Sequence, residues 1–547
     1  MRITKISLTN FRSFKSTQFI ELAPVTLLFG PNSVGKSSVL MALAYVYQIL
    51  AKGHCNPQKL DAWGSRSIGG FQALVHGKDL NQTIKIRLDY EAGNTPFFSY
   101  LSDVEDMANQ MAQSYLEMMD FGGNIKNGAI ELEIAWSTRH QHAYVKTYRA
   151  WINNHFVGAI TSSEDLKTTQ INELNTQHPL LIPTNNDEWL DFQFGESGDR
   201  RTIEDMEPQT ELEDVIYRLN PNSRVNPALA DIDNCGEKYI NRTAPISLRC
   251  GCGALPVLGS PVQTNLDGQD FDALTTHFNF LVVREVLSQA FVLPLDKMLE
   301  YLNANIHIGP LRIVPNNDYV PNPHPEQKDW YDGSASWDLI YKDPNSDVVI
   351  RDLISDTNVW LSSKRKLNTG YKINNQSLAE QLGVDVSLHQ NPENLLKRNL
   401  SFNELRTNIS LSANQLGTGI SQVLPIVVAA NLDHECLVAI EQPELHIHPR
   451  FQVELGDLFL ENSQKHTFLI ETHSEHLVLR LLKRIREASE LINPTNNTIT
   501  SIDDIAIIYL EPSEDGVTSK RIRIDKDGEF KDRWPDGFFN ERREELM

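Results

Sequence analysis

The chain is short of cysteine, short of positive charge and without any long apolar run. Five cysteines stand at uneven spacing among 547 residues. An odd, scattered set is no disulfide framework and points to reduced thiols in a cytoplasmic protein. Lysine and arginine number 50 against 72 aspartates and glutamates, for a net charge of −22. A surface of that sign does not attract nucleic acid as a whole, so such binding needs a local basic patch or a partner. The longest apolar runs, such as VLPIVVAANL, are too short to span a bilayer. The opening MRITKISLTNFRSF has no apolar core and no small-residue cleavage site, so it does not read as a signal peptide. No solenoid repeat and no sustained heptad is visible. What is present is ordinary globular composition, 40% hydrophobic and 22% charged. The length holds material for about three domains.

Patterning divides the chain further. RITKISL alternates apolar and polar residues and predicts a half-exposed strand, whereas PVTLLFG predicts a buried one. A helical pattern follows over 36–50. QTIKIRLDY, AIELEIAW and AYVKTYRAWI alternate again and predict an antiparallel sheet. Between them Val104, Met107, Met111, Leu116 and Met119 recur at helical spacing, for core packing or as a Met-rich docking face. Residues 155–265 are rich in Pro, Asn, Asp and Gly, and read as an irregular insertion. Residues 270–305 predict paired helices, IHIGPLRIVP a strand and turn, 409–486 a strong α/β pattern, and 505–524 a hairpin turned at SEDG.

GPNSVGKS fits the phosphate-loop spacing, and an apolar strand precedes it while a helix follows. Gly30 and Gly35 let the backbone curl around Pro31 so that the N–H groups of Asn32, Ser33 and Val34 face phosphate oxygens. The helix N-terminus at Lys36, Ser37 and Ser38 adds partial positive charge. Lys36 is placed for the β- and γ-phosphates of ATP, and the Ser37 hydroxyl for Mg2+. A chance Gly-rich turn is the competing reading, and the flanking strand and helix weigh against it.

The second half supplies more. NQLGTGISQVLPIVVAANL is a Gly-containing turn running into an apolar helix. LVAIEQPELHIHP is an apolar run ending in acid, and KHTFLIETHSEHLVLRLL is a strand pattern ending near His473. Motifs in this order resemble ABC-type ATPase heads, in the branch of the recombination ATPase Rad50 and the overcoming-lysogenization-defect family. ISLTNFRSF matches that branch's opening strand. The resemblance covers about 1–95 and 400–485. It implies an α/β P-loop head, a mixed sheet plus antiparallel subsheet, interrupted by a largely helical or irregular insertion. The expected division is 1–95 and 409–547 for the halves of the head, 96–305 for the insertion and 306–408 for a connection.

The resemblance also implies roles. Gly417, Gly419 and Ser421 match the signature turn, which contacts the γ-phosphate held by the other protomer of a head-to-head homodimer. Glu441 matches the Mg2+ carboxylate and His473 the switch histidine. Gln72, in GGFQALV, matches a glutamine that senses Mg2+, and Arg12 matches a nucleotide contact. Gln442 stands where the general base of such heads lies. A Gln amide orients water but accepts no proton from it at neutral pH. The expectation is slow or negligible hydrolysis, with Glu444 the one local carboxylate able to substitute.

Other readings stay open. Glu444, His446 and His448 alternate and could ligate a metal from one strand face. Cys235, Cys250, Cys252 and His277 could hold zinc, although CGC is tighter than the usual knuckle and ordinary thiols fit as well. Overcoming-lysogenization-defect nucleases carry a nuclease domain after the head. Here the last stretch holds Asp503, Asp504, Asp525 and Asp527 without room for that fold. A partner is therefore expected to cut. The resemblance extends to the ATPase subunit of Septu-type anti-phage systems. It implies control of a separate HNH nuclease, a homodimer or higher oligomer, and in some cases a retron reverse transcriptase with its RNA–DNA hybrid. Nucleic acid would be met through the complex, and no membrane. The alternative is a DNA-repair or DNA-clamp ATPase whose hydrolysis nucleic acid stimulates.

Overall fold

Two sheets of opposite character organise the chain. The computed structural model describes residues 1–64, 67–93, 99–101, 110, 112, 125–175, 178, 230–232, 238–240, 246–264, 274–377, 398–490 and 501–534. These fall into two compact units. The predicted Met-rich helix over 102–121 lies almost entirely outside the described residues.

The first unit comprises 1–12, 45–57 and 69–300. Its sheet is an antiparallel meander of Arg2–Thr9, Ile84–Glu91, Asn127–Ser137, His142–Ile152, His155–Ser162 and Thr169–Leu174, with the short Ile246–Ser247 at one edge. Alternation is why these residues form strands. In Ile84–Glu91 every second side chain is buried. On the other face charges pair across strands. Arg149 meets Glu131 at 2.9 Å, and Lys85 and Lys146 flank Glu133 at 3.8 and 3.5 Å. The guanidinium of Arg87 lies 4.1 Å over the Trp151 ring. The helix Leu274–Phe291 ends against this sheet, where the Tyr148 hydroxyl donates to the Phe291 carbonyl at 3.0 Å.

One expectation fails here. The irregular insertion was set to begin at 155, yet two ordered strands occupy 155–174. Asn153 and Asn154, just before the segment, both take positive φ, 51° and 66°, as a two-residue hairpin turn of type I′ requires. The residues that follow, HFVGAITS, include the aromatic Phe156 and β-branched Val157, Ile160 and Thr161, which suit a strand.

The second unit comprises 13–44, 58–68 and 301–547. Its sheet runs in the order Ile306–Ile308, Leu437–Glu441, Thr467–Glu471, Val25–Phe29, Ile505–Ser513, Gly516–Ile522. All neighbours are parallel except the last pair, the predicted hairpin. VTLLF, LVAIE and TFLIE are buried at every residue, which is the signature of strands covered on both faces. Helices Thr418–Ala430, Pro449–Glu461 and Glu475–Glu490 follow or precede these strands. The last two helices are pinned by the nearly buried Asp457, which accepts from Arg480 at 3.1 Å and from Arg484 at 2.5 Å. A small antiparallel sheet, Tyr371–Ser377, Arg398–Glu404 and Ser410–Leu411, belongs to the same unit. This is an α/β P-loop head. No helix among the described residues is long and apolar enough to cross a membrane.

Candidate functional site

The site lies where three parallel strands end. Val25–Phe29 runs into the phosphate loop, its neighbour Thr467–Glu471 ends in Glu471, and the next strand over, Leu437–Glu441, ends in Glu441. Glu441 and Glu471 are register partners, and Glu471 is paired in turn with Leu28. Partners in a parallel ladder project to the same side, so two buried carboxylates stand abreast at the sheet's carboxyl edge.

The loop itself is tightly built. Gly30 and Gly35 adopt φ of 143° and 119°. A Cβ at Gly30 would come within 2.3 Å of the Leu510 carbonyl oxygen, and one at Gly35 within 2.0 Å of Ser13 Oγ. Only glycine fits either place. Pro31, Asn32 and Ser33 are exposed, while Val34, Lys36 and Ser38 are buried. Lys36 Nζ donates to the carbonyls of Gly30 and Pro31, each at 2.9 Å. Burial lowers the pKa of this ammonium, and Glu471 and Glu444 oppose that shift. Ser37 Oγ donates to Glu471 Oε2 at 2.6 Å. Burial, with Glu441 and Glu444 nearby, raises the Glu471 pKa, while the Ser37 bond and Lys36 hold the rise in check.

The acidic strand end is braced from Ile306–Ile308 and the turn after it. His307 Nε2 lies 3.0 Å from Glu441 Oε1, and the edges of Trp63 and Tyr331 enclose the imidazole. The buried Arg312 guanidinium donates to the carbonyls of Gln422, Glu441 and Gln442 at 3.4, 3.0 and 3.3 Å. Burial pushes its pKa down to about 10. Gln442 takes φ of 46°, unusual for a residue with a side chain, and its N–H donates to the Glu471 carbonyl at 2.7 Å. Both Glu444 oxygens are engaged, one by Thr472 Oγ1 and the other by the His473 N–H, each at 2.7 Å. His473 is half-buried, and burial together with Lys36 lowers its pKa.

Among the sequence candidates, this unit brings together Gly30 to Ser38, Glu441, Gln442, Glu444 and His473. In the signature turn, Gly417 caps the helix Thr418–Ala430 with φ of −62°. A Cβ there would meet nothing within 4 Å, so neither backbone angle nor packing demands glycine. What glycine leaves is open access to the backbone. At Gly419 a Cβ would lie 3.3 Å from the His446 carbonyl oxygen. Ser421 departs from expectation. It is fully buried within the helix, and the exposed hydroxyl of the turn is Thr418. Arg12 and Gln72 belong to the first unit. Arg12 has φ of 52°, its N–H donates to the Leu74 carbonyl at 2.7 Å, and its carbonyl accepts from His76 Nδ1 at 2.7 Å. Gln72 is exposed on the short helix Gly70–Leu74.

Four residues escaped the sequence reading: Glu471, His307, Arg312 and Thr418. FLIE repeats the apolar-then-acid pattern of VAIE, and that signal would have found Glu471. The metal readings fare differently. Residues 443–446 form a turn, not a strand, and His448 Nδ1 caps the next helix by accepting from the Arg450 N–H at 3.2 Å. Among the described residues no group of three or more His, Cys, Asp or Glu is arranged to hold a metal. Cys235 lies outside the described residues. Mg2+ carried by a nucleotide asks less, one or two carboxylates plus phosphate oxygens. The hard oxygen donors of Ser37, Glu441 and Glu471, packed around a raised-pKa carboxylate, fit that requirement.

A phosphate loop and two abreast carboxylates at the ends of parallel strands define a P-loop ATPase head. The chain belongs to the AAA ATPase domain family, which it matches over residues 1–188 and 346–478. Residues 501–547 match a second family, a protein of unknown function, DUF3696. A stretch of 45 residues is 44% identical to the DNA replication and repair protein RecF of Desulforamulus reducens, and covers 8% of this chain and 12% of that protein. The SMC head domain from Thermotoga maritima aligns over 96% of this chain and 100% of its own at 8% identity, with a TM-score of 0.35. An Smc head domain from Pyrococcus furiosus, solved with an extended coiled coil and bound to the C-terminal domain of ScpA, covers 95% of this chain and 96% of its own. Its identity is 10% and its TM-score 0.33. Similarity at that level carries no argument about this protein.

Proposed function

We propose that the protein is an ATP-gated regulatory subunit that binds ATP with Mg2+, dimerises head to head around it and hydrolyses it slowly. The observation that carries this reading is the state of the carboxylates. Gln442 occupies the base position, Glu441 is held at His307, Glu471 at Ser37, and Glu444 is bonded through both oxygens. Each of these carboxylates already has a partner within the head, and an amide takes no proton from water. Lys36, with the N–H groups of the loop, binds and orients the phosphates. Ser37, Glu441 and Glu471 would hold Mg2+, which when bound neutralises phosphate charge. Gly417 and Thr418 would present their N–H groups and hydroxyl to the γ-phosphate of a partner head, and His473 would sense that phosphate.

Such a head acts through what its closure controls. The resemblance to Septu-type ATPases supports an HNH nuclease as that target, in an anti-phage complex that in some settings includes a retron reverse transcriptase and its hybrid nucleic acid. The chain's net charge of −22 agrees with meeting nucleic acid through a partner. Sedimentation with and without ATP tests the gating. ATP should raise the mass to that of a dimer, and Gln442→Glu should raise turnover about tenfold or more while weakening that dimer. An unchanged mass at saturating ATP would refute the reading. Purification of the native complex tests the partner: absence of any nuclease subunit removes the defence assignment.

The RecF-like stretch supports a second reading, a DNA-repair or DNA-clamp ATPase. It requires DNA to stimulate hydrolysis, and turnover indifferent to DNA rejects it.

A further inference from the structure

Two cysteines nearly 200 positions apart meet in the first unit. Cys55 Sγ and Cys252 Sγ lie 3.6 Å from each other, across a sequence separation of 197. Cys55 is buried and follows the phosphate-loop helix Lys36–Lys52, whose Tyr45 hydroxyl donates to the Cys55 carbonyl at 2.6 Å. Cys252 ends the short strand Cys250–Cys252 and is half-exposed. The next residue, Gly253, pairs with Val145 of the meander. The two thiols are therefore brought together from separate segments of the unit, Cys55 buried and Cys252 less so.

We propose that Cys55 and Cys252 form a peroxide-sensitive dithiol, a modification site that closes to a disulfide and staples the segment after the phosphate-loop helix to the Cys250–Cys252 strand. Bonding requires the sulfurs to approach from 3.6 Å to about 2.05 Å, a small side-chain movement. The order of events follows from access and acidity. Cys252 is the less buried of the two, and hydrogen bonding by Cys55 lowers its pKa to about 7 against the opposing effect of burial. The same hydrogen bond, with burial, raises that of Cys55. Cys250 is pushed up to about 12 by burial, so it stays a thiol. The Cys252 thiolate attacks a hydroperoxide. A sulfur–oxygen bond forms, the peroxide O–O bond breaks, and the other oxygen takes a proton and leaves as water or an alcohol. Cys55 sulfur then attacks the sulfenic sulfur. The S–S bond forms, the S–O bond breaks, and the hydroxyl leaves with the Cys55 proton as water. Two electrons from the thiols have reduced one peroxide.

The test is hydrogen peroxide titration of the purified full-length chain, followed by alkylation and peptide mass mapping. The expected result is joint loss of Cys55 and Cys252 from the alkylated set, with a crosslinked peptide that dithiothreitol dissolves. Cys250→Ser should leave this crosslink intact and Cys252→Ser should abolish it. Cys55→Ala should instead leave Cys252 as a sulfenic acid that a dimedone probe captures. Should Cys55→Ala misfold, the Cys250→Ser and Cys252→Ser pair decides alone. Stepwise oxidation of Cys252 to sulfinic acid with Cys55 still alkylatable overturns the proposal, as does a crosslink that requires Cys250.

Discussion

The two sheets handle charge in opposite ways. In the antiparallel meander the charges sit on one face and neutralise one another along the strands, as Arg149 does with Glu131. In the parallel sheet the central strands are buried at every residue, and their acids are gathered at the carboxyl edge. There Glu441 and Glu471 stand as register partners close to Lys36. Paired charges on a wet face stabilise little and do little else. Acids gathered beside a loop of N–H donors keep a field that a cation and a polyphosphate can answer. The contrast teaches where chemistry can reside in this chain.

Substitutions should fall on the two sides of that contrast with very different weight. Lys36→Ala is expected to give the largest effect, a loss of ATP affinity of about a hundredfold or more in calorimetry, because its ammonium is the one cation inside the loop. Arg312→Met should come next. It leaves three backbone carbonyls around Glu441 without their donor and should cost roughly 3 kcal/mol in denaturant unfolding. Lowering pH should then act through His466, which is buried and whose pKa falls from 6.5 to about 4 through burial. The unfolded chain takes this proton first, so stability is whole above pH 6.5 and declines as pH falls toward 4. Thermal melts across that window should show a shallower decline in His466→Gln. The smallest effect belongs to the meander. Arg149→Ala should change stability by about 1 kcal/mol or less and leave ATP affinity untouched. A large affinity loss there would break the comparison.

The sequence made the strands and the loop legible for a simple reason. Buried parallel strands are written as unbroken apolar runs, and a phosphate loop has few alternatives to its glycines. Glu441, Lys36 and the hairpin after Ile505 could all be placed from local pattern. What local pattern could not carry was partnership. That His307 reaches Glu441 across 134 positions, or that Ser37 turns to Glu471 across 434, depends on strand order. Burial was equally hidden: Ser421 and Thr418 are three residues apart in one motif, yet one faces the core and the other solvent. The strands after His155 were hidden because the average composition of a long segment masks a short strand-forming run such as HFVGAITS.

Glu444 is where the central claim is most exposed. Both of its oxygens are committed to the switch segment, so it is described as a clasp rather than a base. A single-turnover quench of the purified protein loaded with labelled ATP and Mg2+ tests this directly. The account predicts that bound ATP is recovered largely intact, that Gln442→Glu converts it to ADP, and that Glu444→Gln makes no difference to the wild-type rate. Brisk conversion by the wild type, abolished in Glu444→Gln, would contradict it.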